Sequence, residues 1–182
     1  MSSLEENKRK NLYTLVKLMR KNLEITEHVN ITLSEELDFV KSYIELEQRN
    51  LGEDFHLDWK IDNNINLDNT SIISMIIQIP VENAIKHALR PKQGNKILCI
   101  LVNEAEDGIN IFIRDNGTGY FPQQTSQTKG TGTGLKVLYQ TIQLLNIKNK
   151  CKILFSIQNI EKEEGLTGTE VKIYIPYDYK FE

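Results

Sequence analysis

Ile109-Asn110-Ile111-Phe112-Ile113-Arg114-Asp115-Asn116-Gly117-Thr118-Gly119 is the stretch from which the rest of the chain can be ordered. Isoleucines at 109, 111 and 113 alternate with more polar neighbours, the pattern of a strand with one buried face. Asp115 closes the strand, and Gly117 and Gly119 let the following backbone approach a neighbour with no side chain in between. Upstream, Ile97-Leu98-Cys99-Ile100-Leu101-Val102 is a continuous apolar run and reads as another strand. Phe55, Leu57, Trp59 and Ile61 alternate with His56, Asp58, Lys60 and Asp62, a half-buried strand. Residues 152–157 and 170–175 supply two more.

Helical periods occupy the remaining ground. Leu12, Leu15, Val16, Leu18, Met19 and Leu23 recur at helical spacing across residues 4–27. A second helix is expected after Thr32, with Glu35 three positions on completing a capping box. Its stripe is Leu37, Val40, Ile44 and Leu51, and Gly52 is a natural terminator. The two helices form an antiparallel hairpin that must pack on a partner helix, a second copy or the next domain. Residues 71–90 read as one helix, with Pro80 kinking it or fixing its register. A last helix is expected over 132–146, with Leu135, Leu138, Ile142 and Leu145 on one side. Short hairpin-like turns join many of the strands, and helices interrupt only twice. That predicts an α+β two-layer sandwich, a mixed β-sheet with helices packed on one face, preceded by a helical hairpin. Residues 1–52 would be the helical part and 53–182 the sheet domain.

The composition excludes several classes. The 182 residues are 40% hydrophobic and 26% charged, ordinary globular values, and the formal net charge is −3. No long basic run is present, so nucleic acid is a poor partner. Cys99 and Cys151 lack metal-ligand spacing and read as reduced core thiols in a cytoplasmic protein. No apolar stretch is long enough to cross a bilayer, and no signal peptide opens the chain. Met1-Ser2-Ser3 leads straight into a charged helical pattern, which reads as the cut end of something longer. The cluster Glu161-Lys162-Glu163-Glu164 reads as a solvated turn.

Three islands carry chemistry. On the helix, Gln78, Glu82, Asn83, Lys86, His87 and Arg90 share one broad face at 100° per residue, opposite Ile73, Ile76, Ile77, Ala84 and Ile85. The Asn83 amide oxygen suits magnesium, which keeps several waters and shares its shell with phosphates. Lys86 can neutralise phosphate charge, and Glu82 can accept a proton. Taken alone, the face is an ordinary solvated one. Asp115 at its strand end can accept a hydrogen bond from an exocyclic amine, which adenine offers and guanine replaces with an oxygen. Its bland alternative is a plain Asp-Asn-Gly turn. Finally, Gly130-Thr131-Gly132-Thr133-Gly134-Leu135 leads into a helix whose amides favour phosphate. Neither the dinucleotide fingerprint nor the Walker-type loop fits this spacing. Residues 116–131, with almost nothing to bury, read as a mobile loop.

In this order the islands resemble the ATP-binding (GHKL, or Bergerat) domain shared by sensor histidine kinases, gyrase, the HSP90 chaperones and MutL. Residues 81–87 look like the asparagine box, 115–119 the first glycine box and 130–135 the second; Gly168-Thr169-Glu170-Val171 looks like the closing strand, with Thr169 near adenine. More narrowly, Leu33-Ser34-Glu35-Glu36-Leu37, Tyr43-Ile44-Glu45-Leu46-Glu47 and the asparagine box are similar to the LytS-like branch of histidine kinases. The resemblance runs from about residue 10 to the end.

It implies ATP held through Asp115, with Gly117 and Gly119 beside it, and magnesium through Asn83. It places phosphates near Lys86, His87 and residues 130–135, under a lid at 118–131. It implies γ-phosphoryl transfer to a histidine and then to the aspartate of a response regulator receiver domain. It further implies a homodimer through the dimerisation helices and a membrane-bound sensor region outside this chain. Two departures stand out. Ile79 occupies the place where many sensor kinases carry another asparagine. No segment matches the acceptor histidine motif, since the histidines are His28, His56 and His87. The chain is therefore expected to be a catalytic fragment that does not label itself. The alternatives are a nucleotide-gated interaction module without catalysis, and a gyrase- or HSP90-type ATPase using Glu82 to activate water.

Overall fold

A computed structural model describes residues 29–120, 133–160 and 167–181. The expected first helix, His28, the 161–164 cluster and residues 121–132 of the glycine-rich loop lie outside the described residues.

The chain enters on β1 (Asn30–Thr32) and turns at once into α1 (Leu33–Leu51). The capping box is present in full. Thr32 Oγ1 accepts from the Glu35 amide at 3.2 Å, while the Glu35 carboxylate accepts from the Thr32 amide at 3.0 Å. The next orphan donors go to the neighbouring turn, Leu33 N–H to Thr70 O at 2.7 Å and Ser34 N–H to Leu67 O at 3.0 Å. Gly52 ends the helix with φ 87°. Leu33, Leu37, Phe39, Val40, Tyr43, Ile44 and Leu51 are buried in the same core as the sheet. This helix therefore packs into the sheet domain itself.

After β2 (Phe55–Ile61) the chain departs from expectation. Residues 71–73 are not helical. They form β3 (Ser71–Ile73), antiparallel to β1, with Ile31 opposite Ile72. Helix α2 starts only at Gln78 (Gln78–Asn83) and passes without a break into a π-helical segment, Ala84–Leu89. Its bond pattern is explicit in Arg90 N–H donating to Ile85 O, five residues back. Pro80 sits in the first turn, where a missing N–H leaves no gap in the ladder. It therefore breaks nothing.

Then follow β4 (Lys96–Ala105), β5 (Gly108–Asp115), α3 (Thr133–Lys148), β6 (Leu154–Asn159) and β7 (Thr169–Pro176). The main sheet has the order β2-β4-β5-β7-β6, parallel between β2 and β4 and antiparallel elsewhere. The mixed α+β architecture is the expected one.

Register determines what the buried face contains. Ile113 lies opposite Ile100 and Val171, and Ile111 opposite Val102 and Ile173. These rows are fully or nearly fully buried. Because strand side chains alternate, Asp115 points to the same buried face as Ile109, Ile111 and Ile113. It stands between Leu98 on β4 and Thr169 on β7. The opposite face carries Phe112 with the cations of Arg114 and Lys172 over its ring at 5.2 and 5.5 Å. Cys99 is half-buried, but Cys151 is exposed in the bend before β6, so it is not a core thiol.

Candidate nucleotide site

Between the buried face of the sheet and the helical layer lies a cavity of about 100 Å³. Pro80, Asn83, Ala84, His87 and Ala88 wall it from the helix. Ile113, Asp115, Thr169, Val171 and Ile157 wall it from the sheet, and Gly119, Tyr120 and Leu135 complete the lining. Asn83 and Asp115, 32 positions apart in sequence, thus share one cleft with a mostly apolar interior and a few convergent polar groups.

Asp115 is the buried carboxylate of this cavity. Its Oδ1 accepts from Gly117 N–H at 2.8 Å, and Thr169 adds a backbone and a side-chain hydrogen bond. Burial pushes its pKa above the usual carboxylate range, and the Gly117 and Thr169 bonds offset part of that rise. The Asp-Asn-Gly turn is therefore real, yet it closes on a buried acid aimed into a cavity. Asn116 pins the turn to β4, accepting from Ile97 N–H at 2.8 Å and donating to Asn95 O at 3.0 Å.

The two glycines have different reasons. A Cβ on Gly117 would sit 2.5 Å from the Ala88 Cβ, so this glycine lets strand turn and helix touch. Gly119 has φ 95°, a backbone that disfavours side chains. Beside it, Asn159 clasps Tyr120 through both backbone groups, at 2.5 and 3.2 Å.

The helical face splits in two. Asn83 and His87 turn to the cavity. Glu82 and Lys86 are not among its lining residues and form a flank ladder instead: Gln78 Nε2 and Lys86 Nζ each donate to Glu82 at 2.7 Å. Gln78, expected on a solvated face, is buried. Arg90 swings to α1 and pairs with Glu47 at 2.6 Å. Burial and the charges of Lys86 and Arg90 hold the His87 pKa below the usual imidazole value. Of the second glycine island, Gly130, Thr131 and Gly132 lie outside the described residues. Thr133 opens α3, Gly134 faces the Ile79 side chain, and Leu135 lines the cavity.

Sequence reasoning missed Ala84, Ala88, Ile157, Tyr120 and Asn159. One signal was readable: small residues at 84 and 88, one turn apart beside the asparagine, mark a helix side that something must approach closely. Asn159 carried no such mark.

The donor set fits a purine nucleotide. Aliphatic walls from Ile113, Ile157, Val171 and Leu135 suit a planar ring, at whose edge Asp115 would stand as an acceptor. Among the described residues no group of three or more His, Cys, Asp or Glu could hold a metal. A magnesium ion would therefore rely on the Asn83 amide and on oxygens brought by the ligand.

Comparison with known proteins agrees with this fold. The family described as "Histidine kinase-, DNA gyrase B-, and HSP90-like ATPase" matches residues 68–179, and the family described as "Histidine kinase" matches residues 1–55. The chain belongs to the first of these families, in the form found as the catalytic domain of sensor histidine kinases. It is 33% identical to the sensor protein LytS of Staphylococcus epidermidis over 94% of its own length and 29% of that protein's. It is 30% identical to the sensor histidine kinase YpdA of Escherichia coli K12, over 91% of the chain and 28% of that protein. The chain thus spans under a third of these relatives. Solved structures share the fold. A mycobacterial sensor histidine kinase, MprB, aligns over 82% of the chain and 97% of its own at TM-score 0.55 and 17% identity. The histidine kinase domain of an Erythrobacter litoralis blue-light activated kinase aligns over 98% and 85% at TM-score 0.57 and 13% identity.

Proposed function

We propose that this chain is the catalytic part of a two-component sensor histidine kinase. It binds magnesium-ATP and directs the γ-phosphoryl group to a histidine upstream of this chain, for relay to a receiver domain. The observation that carries this reading is the shared cavity of Asn83 and Asp115. Asp115 would accept the adenine amine with Thr169, Gly117 and Gly119 around it. Asn83 would ligate magnesium, which when bound offsets the phosphate charge. Lys86, His87 and residues 130–135 would face the phosphates. Glu82, oriented by Gln78 and Lys86, would receive a proton.

Two placements support an acceptor elsewhere: His56 is exposed on edge strand β2, and His87 stands in the cavity wall. On this reading the dimerisation region of a homodimer lies upstream of β1, and α1, buried in the sheet's core, belongs with residues 53–182 to the ATP-binding domain, not with the helical part expected over 1–52. The parent protein would reach the membrane through a region outside this chain, which itself works in the cytoplasm. Among the described residues no helix is long and apolar enough to span a bilayer.

Calorimetric titration tests the site. Asn83→Ala should abolish the magnesium-dependent part of ATP affinity, and Asp115→Asn should erode the preference for ATP over GTP. If both variants bind like the parent, the assignment is wrong. With labelled ATP the chain should not label itself but should label an added acceptor segment from the longer protein. Binding with no transfer would favour a nucleotide-gated module, and phosphate release without acceptor would favour an ATPase.

A further inference from the structure

Glu36, on α1, is fully buried and sends its carboxylate 39 to 42 positions along the chain. Oε2 accepts from Met75 N–H at 3.1 Å, and Oε1 accepts from both Ile77 N–H and Gln78 N–H at 3.0 Å. These donors lie at the start of α2. The adjoining amides need nothing further: Ile79 N–H already donates to Met75 O, and Pro80 has no N–H. Met75 itself has φ 67°, which is unfavourable for a residue with a side chain. That conformation turns successive amides inward so that they converge on one anion, and a buried carboxylate demands such donors. Strain and buried charge are thus parts of one clasp.

The clasp sits on the helix that carries Asn83 and not on the strand that carries Asp115. We infer that Glu36 is a positioning residue: from α1 it sets where the helix presents Asn83, and so tunes the metal-phosphate end of the cleft without touching ligand. The inference rests on the nucleotide reading of the cavity. A second tie, Arg90 to Glu47, joins the far end of the same helical segment to α1. Residues that orient a metal ligand from behind change metal affinity by about 10- to 100-fold when altered. The adenine end, mounted on β5 and β7, has no such dependence.

The test is a split between two ligands on the full 182-residue chain. Glu36→Gln keeps the volume and one acceptor oxygen while placing an NH₂ where an acceptor stood. It should weaken magnesium-ATP binding about 10-fold or more and leave adenosine binding within about twofold. Equal loss of both ligands marks a purely structural role and overturns the inference, as does no loss of either. A parent chain that binds neither ligand overturns the nucleotide reading itself, and this inference with it. Should Glu36→Gln fail to fold, hydrogen exchange on the unaltered chain decides. Exchange of the Ile77 and Gln78 amides should slow on adding magnesium-ATP and stay unchanged with adenosine. An equal or absent response to the two ligands would refute the coupling.

Discussion

Gly117→Ala is the sharpest probe of how the cleft is assembled. The added Cβ would lie 2.5 Å from Ala88 Cβ, 2.9 Å from Ala88 Cα and 2.9 Å from Asp115 Oδ1. Carbon atoms rest at about 3.5–4.0 Å, so the turn and the helix must separate by about 1 Å. Nothing flexible can yield, because Ala88 presents only its backbone and one methyl. Overpacking of this kind costs about 1–3 kcal/mol, and the lost glycine entropy in the unfolded chain returns about 0.4–1. The net is a destabilisation of about 1–2 kcal/mol, or roughly 3–6 °C in melting temperature for a chain of this size. Ala88→Gly alone should cost about 1 kcal/mol as a glycine inside a helix. In the double variant the 2.5 Å clash is gone while the 2.9 Å contacts stay. The pair should therefore be about 1 kcal/mol better than the sum of its parts. Urea unfolding followed by circular dichroism reads this from midpoints at constant slope. Additivity within about 0.3–0.5 kcal/mol would show that the two residues do not meet, and the cavity geometry would fall with them.

Thr32→Ala removes one half of the capping box and should cost about 1 kcal/mol, seen as a melting point lower by roughly 2–4 °C. Asp115 has a raised pKa in the fold, so its contribution is present below the unfolded value of about 3.9 and is lost as pH rises through the folded one. Asp115→Asn should gain stability relative to the parent across that window and stay level above it, which urea midpoints over a pH series will show. His87 has a lowered pKa, so its contribution is intact above about pH 6.5 and is lost as pH falls through the folded value. His87→Gln should flatten that acid limb, and an unchanged limb would count against the position given to the imidazole.

What could be read in advance was local. The capping box needs only four consecutive residues, and the 109–115 alternation carries its own burial pattern, so both appear where expected. The alternation runs on to Asp115 and turns it to the inward face, a step that the sequence reading, which only had it close the strand, did not take. Residues 71–77 misled because Ile72, Ile73, Ile76 and Ile77 fit a helical stripe, whereas Ile72 and Ile73 are held by pairing with β1 about 40 residues earlier. No window around residue 72 contains that partner. The candidate face was blurred for a different reason. The wheel groups residues 78–90 on one broad face, but neighbours on it still differ by about 100°, so Glu82 and Asn83 point in different directions within the α-helical part itself. Glu82 and Lys86 form one i,i+4 row, which makes the flank ladder, and Asn83 and His87 form the next, which reaches the cavity.

The two ends of the cleft are held by different physics. Asp115 belongs to a strand locked on both sides, paired with Leu98 and Thr169, so displacing it means breaking ladder bonds in β4, β5 and β7 together. Asn83 belongs to a helix held by side chains: Glu36 at its start, Val81, Ile85 and Leu89 in the core, and the Ala88–Gly117 seam and Arg90–Glu47 towards its end. A small rotation of this helix disrupts no sheet hydrogen bond, and both of its polar ties, Glu36 and Arg90–Glu47, lead to α1. Mechanical input through α1 therefore reaches the asparagine before the aspartate. If the proposed nucleotide reading holds, affinity for a ligand that needs both groups will follow the helix, while affinity for adenosine alone will follow the sheet.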